Sequence, residues 1–274
     1  MRRAYGLRRV GHGGTLDPAV TGVLPLALGA ATRLLPYLSG DKAYRGVIQL
    51  GVRTTTDDLE GEVLQQGPWP SLEAATLTPL LSRLTGTILQ SPPQVSAVHV
   101  NGERAYKRAR RGEVLQLPPR PVSIHQLELL HIDAEQGRLT LAVRCSAGTY
   151  IRSLARDIGA ALGCGGCLAT LRRTAALGFD LEQAVALQAL DETPLPPLLD
   201  PLKALAALPR QSLREAQVEG WRCGRRLELD PPTPFDLALD APVVILLPSG
   251  QLAGMARYAG AGWLQPRLVL EASG

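Results

Sequence analysis

An α+β fold is predicted by three features of the chain. Residues 122–132 and 139–145 read as paired strands, with Gln136-Gly137 near the turn between them. Residues 149–162 read as the cleanest helix: Ile151, Leu154, Ala155, Ile158 and Leu162 recur at helical spacing and make one apolar stripe, with Arg152 and Arg156 one turn apart off that stripe. From about Leu208 onward, short strand-like runs at 242–247, 252–258 and 263–270 alternate with turns, which indicates a small β-rich second domain.

The remaining elements follow in chain order. Residues 1–40 are rich in Gly, Pro and small apolar side chains, and Gly11-His12-Gly13-Gly14 punctuates a loop. The apolar run 23–38 predicts a helix, with Pro25 at its start and Pro36 near its end. Residues 44–52 predict a strand, and 72–84 a helix that Gly86 ends. Past Leu181 the chain is rich in Leu, Ala and Pro, as a connection winding over a surface would be.

Composition bounds the function. The 274 residues carry 45% hydrophobic and 20% charged side chains, ordinary values for a globular core. A net charge of +4 fits a nucleic-acid partner without demanding one. Lys42, Lys107 and Lys203 are the lysines; the other basic residues are arginines, whose planar forks suit phosphate. Four cysteines are too few for a disulfide scaffold, no apolar run is long enough for a membrane helix, and the N-terminus lacks the apolar region of a signal peptide. A cytoplasmic, reduced protein is the expectation.

Chemistry concentrates in three segments. In Gly11-His12-Gly13-Gly14-Thr15-Leu16-Asp17-Pro18, three glycines permit unusual φ angles and close backbone approach, and Pro18 pushes Asp17 toward an extended conformation. A carboxylate presented this way suits a nucleophile or base, although on spacing alone an ordinary Asx turn fits better. The second segment, Ser146-Ala147-Gly148-Thr149-Tyr150-Ile151-Arg152, passes from a strand into a helix, where polar groups often converge. The third, residues 101–111, sets positive charges around Tyr106, a mixture that grips phosphates and stacks on bases, and equally one that decorates a solvated helix. Rival motifs are incomplete: the glycine loop lacks the Lys of a P-loop, no Gly-x-Ser-x-Gly elbow accompanies the His-Gly-Gly stretch, and Cys164-Gly-Gly-Cys167 lacks a second ligand pair for zinc.

Together these segments resemble the bacterial tRNA pseudouridine-55 synthase family, TruB. The resemblance rests on residues 10–18, Thr21-Gly22-Val23-Leu24-Pro25, Ala31-Thr32-Arg33, Lys42-Ala43-Tyr44-Arg45, Leu50-Gly51, Thr54 to Asp58 with Gly61, Cys145-Ser146, Gly148 to Arg152 and Leu171-Arg172-Arg173, all in family order. It implies a pseudouridine-synthase-type mixed, largely antiparallel sheet with flanking helices at 1–207, and a small PUA-like RNA-binding domain at 208–274. It also implies isomerisation of the uridine at position 55 in the tRNA T-arm loop, after that base is flipped out. Asp17 would be the nucleophile, Arg152 its ion-pair partner, and Tyr150 close enough to assist proton transfer. Tyr44 would stack on the uracil, Leu171 line the pocket and His12 hold the disrupted RNA loop. The basic insertion at about 95–120, with Arg104, Tyr106, Lys107 and Arg108, would close over the RNA, and Trp221, Arg222, Arg225 and Arg226 lie near the start of the second domain. The reaction requires no metal and no cofactor. A stand-alone monomer acting on tRNA, without an obligatory protein partner, is the expectation.

Two departures from the family pattern stand out. The chain lacks the Lys-Pro-x-Gly segment that family members carry before the aspartate motif, which points either to a start site placed too late or to a truncated relic. An alternative follows: a catalytically impaired protein that binds and folds tRNA. The smaller departure is His99, where relatives more often carry lysine; His125 and His131, on a strand-like run, read as structural.

Overall fold

A computed structural model of the chain describes residues 1–38, 40–100, 102–109, 111–113, 115–229 and 237–270. Asn101 and Arg110 of the basic stretch, and 230–236 and 271–274 of the expected second domain, lie outside the described residues. The chain forms two compact units, each discontinuous in sequence. One comprises residues 14–25 and 39–184, the other 1–13, 26–38 and 185–274.

The first unit is built on a seven-stranded sheet. Its order is Phe179–Asp180, Gly166–Ala176, Lys42–Leu50, Arg138–Cys145, Arg120–Asp133 and Gly86–Gln90, all antiparallel, with Thr21–Gly22 running parallel to Gly166–Ala176 off this path. The expected hairpin is present: Asp133 faces Arg138 across a turn in which Gly137 has φ +62°. Lys42–Leu50 is the middle strand, and its alternate residues Tyr44, Gly46, Ile48 and Leu50 are buried. Gly51, at φ +77°, ends it two residues before the predicted limit, and Val52–Thr54 then leaves to pair with Val63–Gln66.

Helix Ile151–Ala161 covers one face of this sheet. Leu154, Ala155 and Ile158 are fully buried against Ile48, Leu50, Leu139, Leu141 and Leu168; full burial of a Leu or Ile side chain contributes about 1.5–3 kcal/mol. The helix also comes very close to the sheet, because a Cβ on Gly159 would sit 2.2 Å from the Gly165 and Gly166 backbone. Arg152 lies off the apolar stripe, as expected, but it is only 7% exposed. In the first turn of the helix it faces polar loops rather than solvent, a distinction that apolar periodicity alone does not carry. Helix Ala74–Arg83 fills the same core through Leu77, Leu80 and Leu81.

The predicted helix over 23–38 is corrected. Leu26–Leu28 is a strand paired with Val10–His12, and a 3-10 helix, Gly29–Tyr37, follows it. Gly29, the first residue of that 3-10 helix, has φ +58°, a left-handed conformation that one continuous right-handed helix over 23–38 would not contain.

In the other unit, residues 210–269 supply a five-stranded sheet in the order Arg210–Ser212, Pro242–Leu246, Leu252–Gly260, Trp263–Val269 and Leu227–Glu228. Both faces are covered. Val243 and Ile245 pack with Trp221 and Leu264 on one side, while Val244 and Met255 pack with Leu34 and Leu205 on the other. That explains why residues 243–246 are continuously apolar rather than alternating. Trp221 is a core residue, 1% exposed, whose indole N–H donates to the Ala253 carbonyl at 3.1 Å.

Gly22 is the position where a side chain is least tolerable near the Gly11–Pro18 segment. Its φ is +103°, and a Cβ would lie 2.1 Å from the Arg173 carbonyl oxygen. Gly22→Ala is expected to lower unfolding free energy by at least about 2 kcal/mol. The control Gly67→Ala, where a Cβ meets nothing within 4 Å, should shift it by less than about 0.5 kcal/mol. Urea denaturation of the two variants checks this, and equal stabilities would contradict it.

Candidate active site

Asp17 sits on the loop 14–25, which is fastened at both ends. On its far side Thr21–Gly22 pairs with Arg172 and Arg173, and the Val23 N–H donates to the Arg173 carbonyl at 2.9 Å. On its near side the Arg173 guanidinium donates to the carbonyls of Gly14 (3.3 Å) and Thr15 (3.2 Å), while Nε reaches back to that of Val23 (2.7 Å). One buried arginine, 1% exposed, thus holds both flanks of the loop. Between them the Val20 N–H donates to the Asp17 carbonyl at 2.9 Å, closing a turn over Pro18.

The carboxylate of Asp17 meets Arg152. The distance from Nη2 to Oδ2 is 3.0 Å, and the two side chains differ sharply in exposure, 8% for the arginine and 51% for the aspartate. Arg152 is positioned by the start of helix Ile151–Ala161, where the Tyr150 N–H donates to Gln90 Oε1 at 2.8 Å. Its guanidinium also donates to the carbonyls of Thr56 (3.1 Å) and Val95 (3.0 Å) and lies 3.6 Å from Asp58 Oδ2. Asp58 is in turn bonded by the Thr56 hydroxyl and the Glu60 N–H. One turn along the helix, Arg156 holds Asp57 at 2.8 Å, and the Asp57 carbonyl accepts from the Leu168 N–H. Burial pushes the Asp57 carboxyl above the usual carboxylate range, against the pull of Arg156.

Tyr44 lies in the sheet between Val143 and Arg173 and is only 8% exposed. Burial raises its phenol above the ordinary range, so the ring is neutral at physiological pH. Leu171, half-buried, packs against the same core and lies opposite Gly46. Tyr150 is half-buried and leans on a separate cluster of Val98, Ala105, Leu115 and Leu117. The structure therefore joins Asp17 to Arg152 directly, and places Tyr44 beside Arg173. His12 is exposed at the end of Val10–His12, opposite Leu26, in the other compact unit.

The basic segment is less free than its sequence suggests. Arg104 ends a two-residue strand, and Tyr106, Lys107 and Arg108 belong to the short helix Ala105–Ala109. Arg108 pairs with Glu113 at 2.7 Å, and Arg111 pairs with Glu103 at 2.7 Å and Glu113 at 2.9 Å. Arg104 and Lys107 form no ion pair among the described residues. Cys164 and Cys167 are both buried, and the described residues contain no group of three or more His, Cys, Asp and Glu able to hold a metal ion.

Comparison with known proteins gives this geometry its context. A family model described as TruB family pseudouridylate synthase (N terminal domain) matches residues 2–151, and one described as tRNA pseudouridylate synthase B C-terminal domain matches 152–204. The chain belongs to the TruB family. The TruB relatives include proteins named tRNA pseudouridine synthase B from Parasynechococcus marenigrum, 63% identical over 274 residues, and from Prochlorococcus marinus, 50% identical over 296 residues. In both cases the match covers 100% of this chain and 92% of the relative. Among solved structures, an H/ACA ribonucleoprotein bound to a substrate RNA containing 2'-deoxyuridine aligns with a TM-score of 0.71 at 22% identity. An archaeal box H/ACA small ribonucleoprotein complex aligns at 0.69 and 24%. These alignments cover 98% of this chain and 78% and 79% of the matched chains, and they show a shared fold.

Two residues with clear positions in this TruB-family site, Arg173 and Asp58, carry no role in the sequence reading. The available signal for Arg173 was register: it is two residues from Leu171 on one strand, and so shares its inward face. Replacing it with Met, of similar length but without donors, strands three carbonyl oxygens. Arg173→Met is expected to lower stability by on the order of 3 kcal/mol, measured by chemical denaturation. A variant as stable as the parent would mean that the loop is held by its strand pairing alone.

Proposed function

We propose that the chain is a tRNA pseudouridine synthase that isomerises the uridine at position 55 in the T-arm loop, with Asp17 as the nucleophile. The observation that carries this reading is the 3.0 Å contact between Asp17 and the buried Arg152, on a loop pinned at both ends. The names of the close relatives support the same activity.

The chemistry needs little more than placement. A uridine within a folded RNA loop is unreachable until it leaves its stack, at a cost of a few kcal/mol. Stacking on an aromatic ring returns about 1–3 kcal/mol per base, and Tyr44, neutral and beside the Asp17 loop, is assigned that part. Asp17 attacks the nucleoside, the bond from C1′ to the uracil nitrogen breaks, and the uracil turns and bonds to C1′ through C5; the bond to Asp17 then breaks, C5 gives up its proton to a base and N1 gains one. Arg152 fixes the carboxylate during approach. Tyr150, at the cap of the same helix, is assigned to proton transfer and Leu171 to the pocket wall. His12 and the segment bearing Arg104, Tyr106, Lys107 and Arg108 are assigned to the RNA. Residues 1–207 form the catalytic part in this reading, and the five-stranded β-rich sheet within 208–274 is assigned to holding RNA.

No described helix is long and apolar enough to cross a membrane. We further infer a cytoplasmic enzyme that acts as a monomer on tRNA without an obligatory protein partner. The assembled Asp17–Arg152 pair favours turnover over the binding-only alternative.

Three variants on an unmodified tRNA transcript test this, with pseudouridine mapped in the product. Asp17→Asn should abolish turnover, while tRNA affinity changes less than about threefold. Arg152→Lys keeps the charge but cannot reach Thr56, Val95 and Asp17 together, and should lower kcat at least about tenfold. Tyr44→Leu should act on both KM and kcat. Full activity of Asp17→Asn would remove the mechanism.

A further inference from the structure

Two cations lie under the Gly14 end of the catalytic loop, and they are used differently. Arg173 donates to three carbonyl oxygens. Lys42, at the start of the strand Lys42–Leu50, is half-buried, and its ammonium has no hydrogen-bond or ion-pair partner among the described residues. It packs against Gly14, where a Cβ would lie 3.3 Å from Nζ and 3.7 Å from Cε. The carboxylates nearby are engaged elsewhere: Asp17 with Arg152 at 3.0 Å, and Asp41 with His125 Nε2 at 3.3 Å.

A partly desolvated ammonium with unused donors is penalised unless an acceptor arrives. Burial, reinforced by Arg173, holds Lys42 below the ordinary lysine range, which is the electrostatic signature of a cation short of an anion. The chain favours arginine almost everywhere, yet places one of its three lysines here. The compact ammonium packs beside Gly14 and would bind phosphate as a point charge.

We propose that Lys42 binds a backbone phosphodiester flanking the uridine presented to Asp17. This rests on the RNA-modifying reading of the site. Gly14 precedes Asp17 by three residues, so the Cα of Asp17 is at most about 10 Å from that of Gly14, within reach of the phosphates on either side of one nucleotide. Rotating a nucleotide out of its stack swings exactly those phosphates, and a contact there holds the flipped strand in place of lost base stacking. The missing side chain at Gly14 leaves the approach to the ammonium open.

The test pairs Lys42→Met with T-arm stem-loops carrying a neutral methylphosphonate at either linkage flanking the target uridine. For the wild-type chain, one of the two neutral linkages is expected to weaken binding about tenfold or more. Lys42→Met should bind unmodified RNA about tenfold more weakly and lose nothing further from the same methylphosphonate. The slope of log affinity against log salt should fall by about 0.7 in the variant, and kcat at saturating RNA should change less than about threefold. Lys42→Arg, which keeps the charge, should recover part of the affinity. Multiplicative losses, or wild-type affinity in Lys42→Met, would overturn the proposal, as would a fall in kcat without weaker binding. The wild-type scan alone also decides it: insensitivity at both linkages rules the contact out even if the variant fails to fold. A wild-type chain that formed no pseudouridine would sink the catalytic reading instead, while the binding cycle still reported on Lys42.

Discussion

A carboxylate on an exposed loop is placed only as well as its loop, and here the loop hangs on one buried guanidinium. Arg173 meets carbonyl oxygens from both sides of Asp17 while its own peptide pairs with Thr21 and Gly22. The glycines of the motif follow from that attachment. At Gly22 any side chain would collide with the Arg173 backbone, and at Gly14 it would press on Lys42. The composition of the motif thus records how tightly the loop is laid onto the sheet, and Asp17 inherits its position from that contact.

Much of the architecture was legible because it rests on local periodicity. The hairpin of Arg120–Asp133 with Arg138–Cys145, the helix Ile151–Ala161 and the C-terminal strands all appear where hydrophobic spacing places them. The departures have a common cause: apolar spacing does not report where backbone turns and polar groups are buried. The stretch 23–38 looks like one apolar helix, yet it holds a strand and a 3-10 helix that begins at a left-handed glycine. Apolar spacing says nothing of Arg152 and Arg173, yet each is buried because backbone carbonyls, not solvent, take its hydrogens. Pairings between residues 99 to 159 positions apart leave no trace in a window of a dozen residues. Asp17 and Arg152 were linked in the sequence through family resemblance, and spacing alone favoured an ordinary turn.

The basic segment shows how formal charge misleads about electrostatic attraction. Glu103 and Glu113 bind Arg108 and Arg111, so part of the positive run is neutralised at contact distance. Exposed pairs of this kind add little stability, but they fix the shape of the loop around the short helix Ala105–Ala109. Among the described residues of the segment, the charge left to meet phosphate lies on Arg104 and Lys107. With a net charge of only +4 over the whole chain, the long-range field is weak, and affinity must come from cations placed at particular phosphates rather than from a broad basic surface.

The asymmetry of the central ion pair bears on how Asp17 could react. A nucleophile must leave its ion-pair partner to form a new bond, and removing one member of a buried pair is strongly unfavourable when the other is left alone. Arg152 is not left alone. It is the buried member, and it keeps the carbonyls of Thr56 and Val95 and the carboxylate of Asp58, 3.6 Å away, whatever Asp17 does. Asp17 is the half-exposed member, open to solvent. In the proposed reaction the carboxylate can therefore turn toward the nucleoside without stranding a charge in the protein interior. Asp58, itself held by Thr56 and Glu60, eases that release, since it leaves a second carboxylate beside the guanidinium.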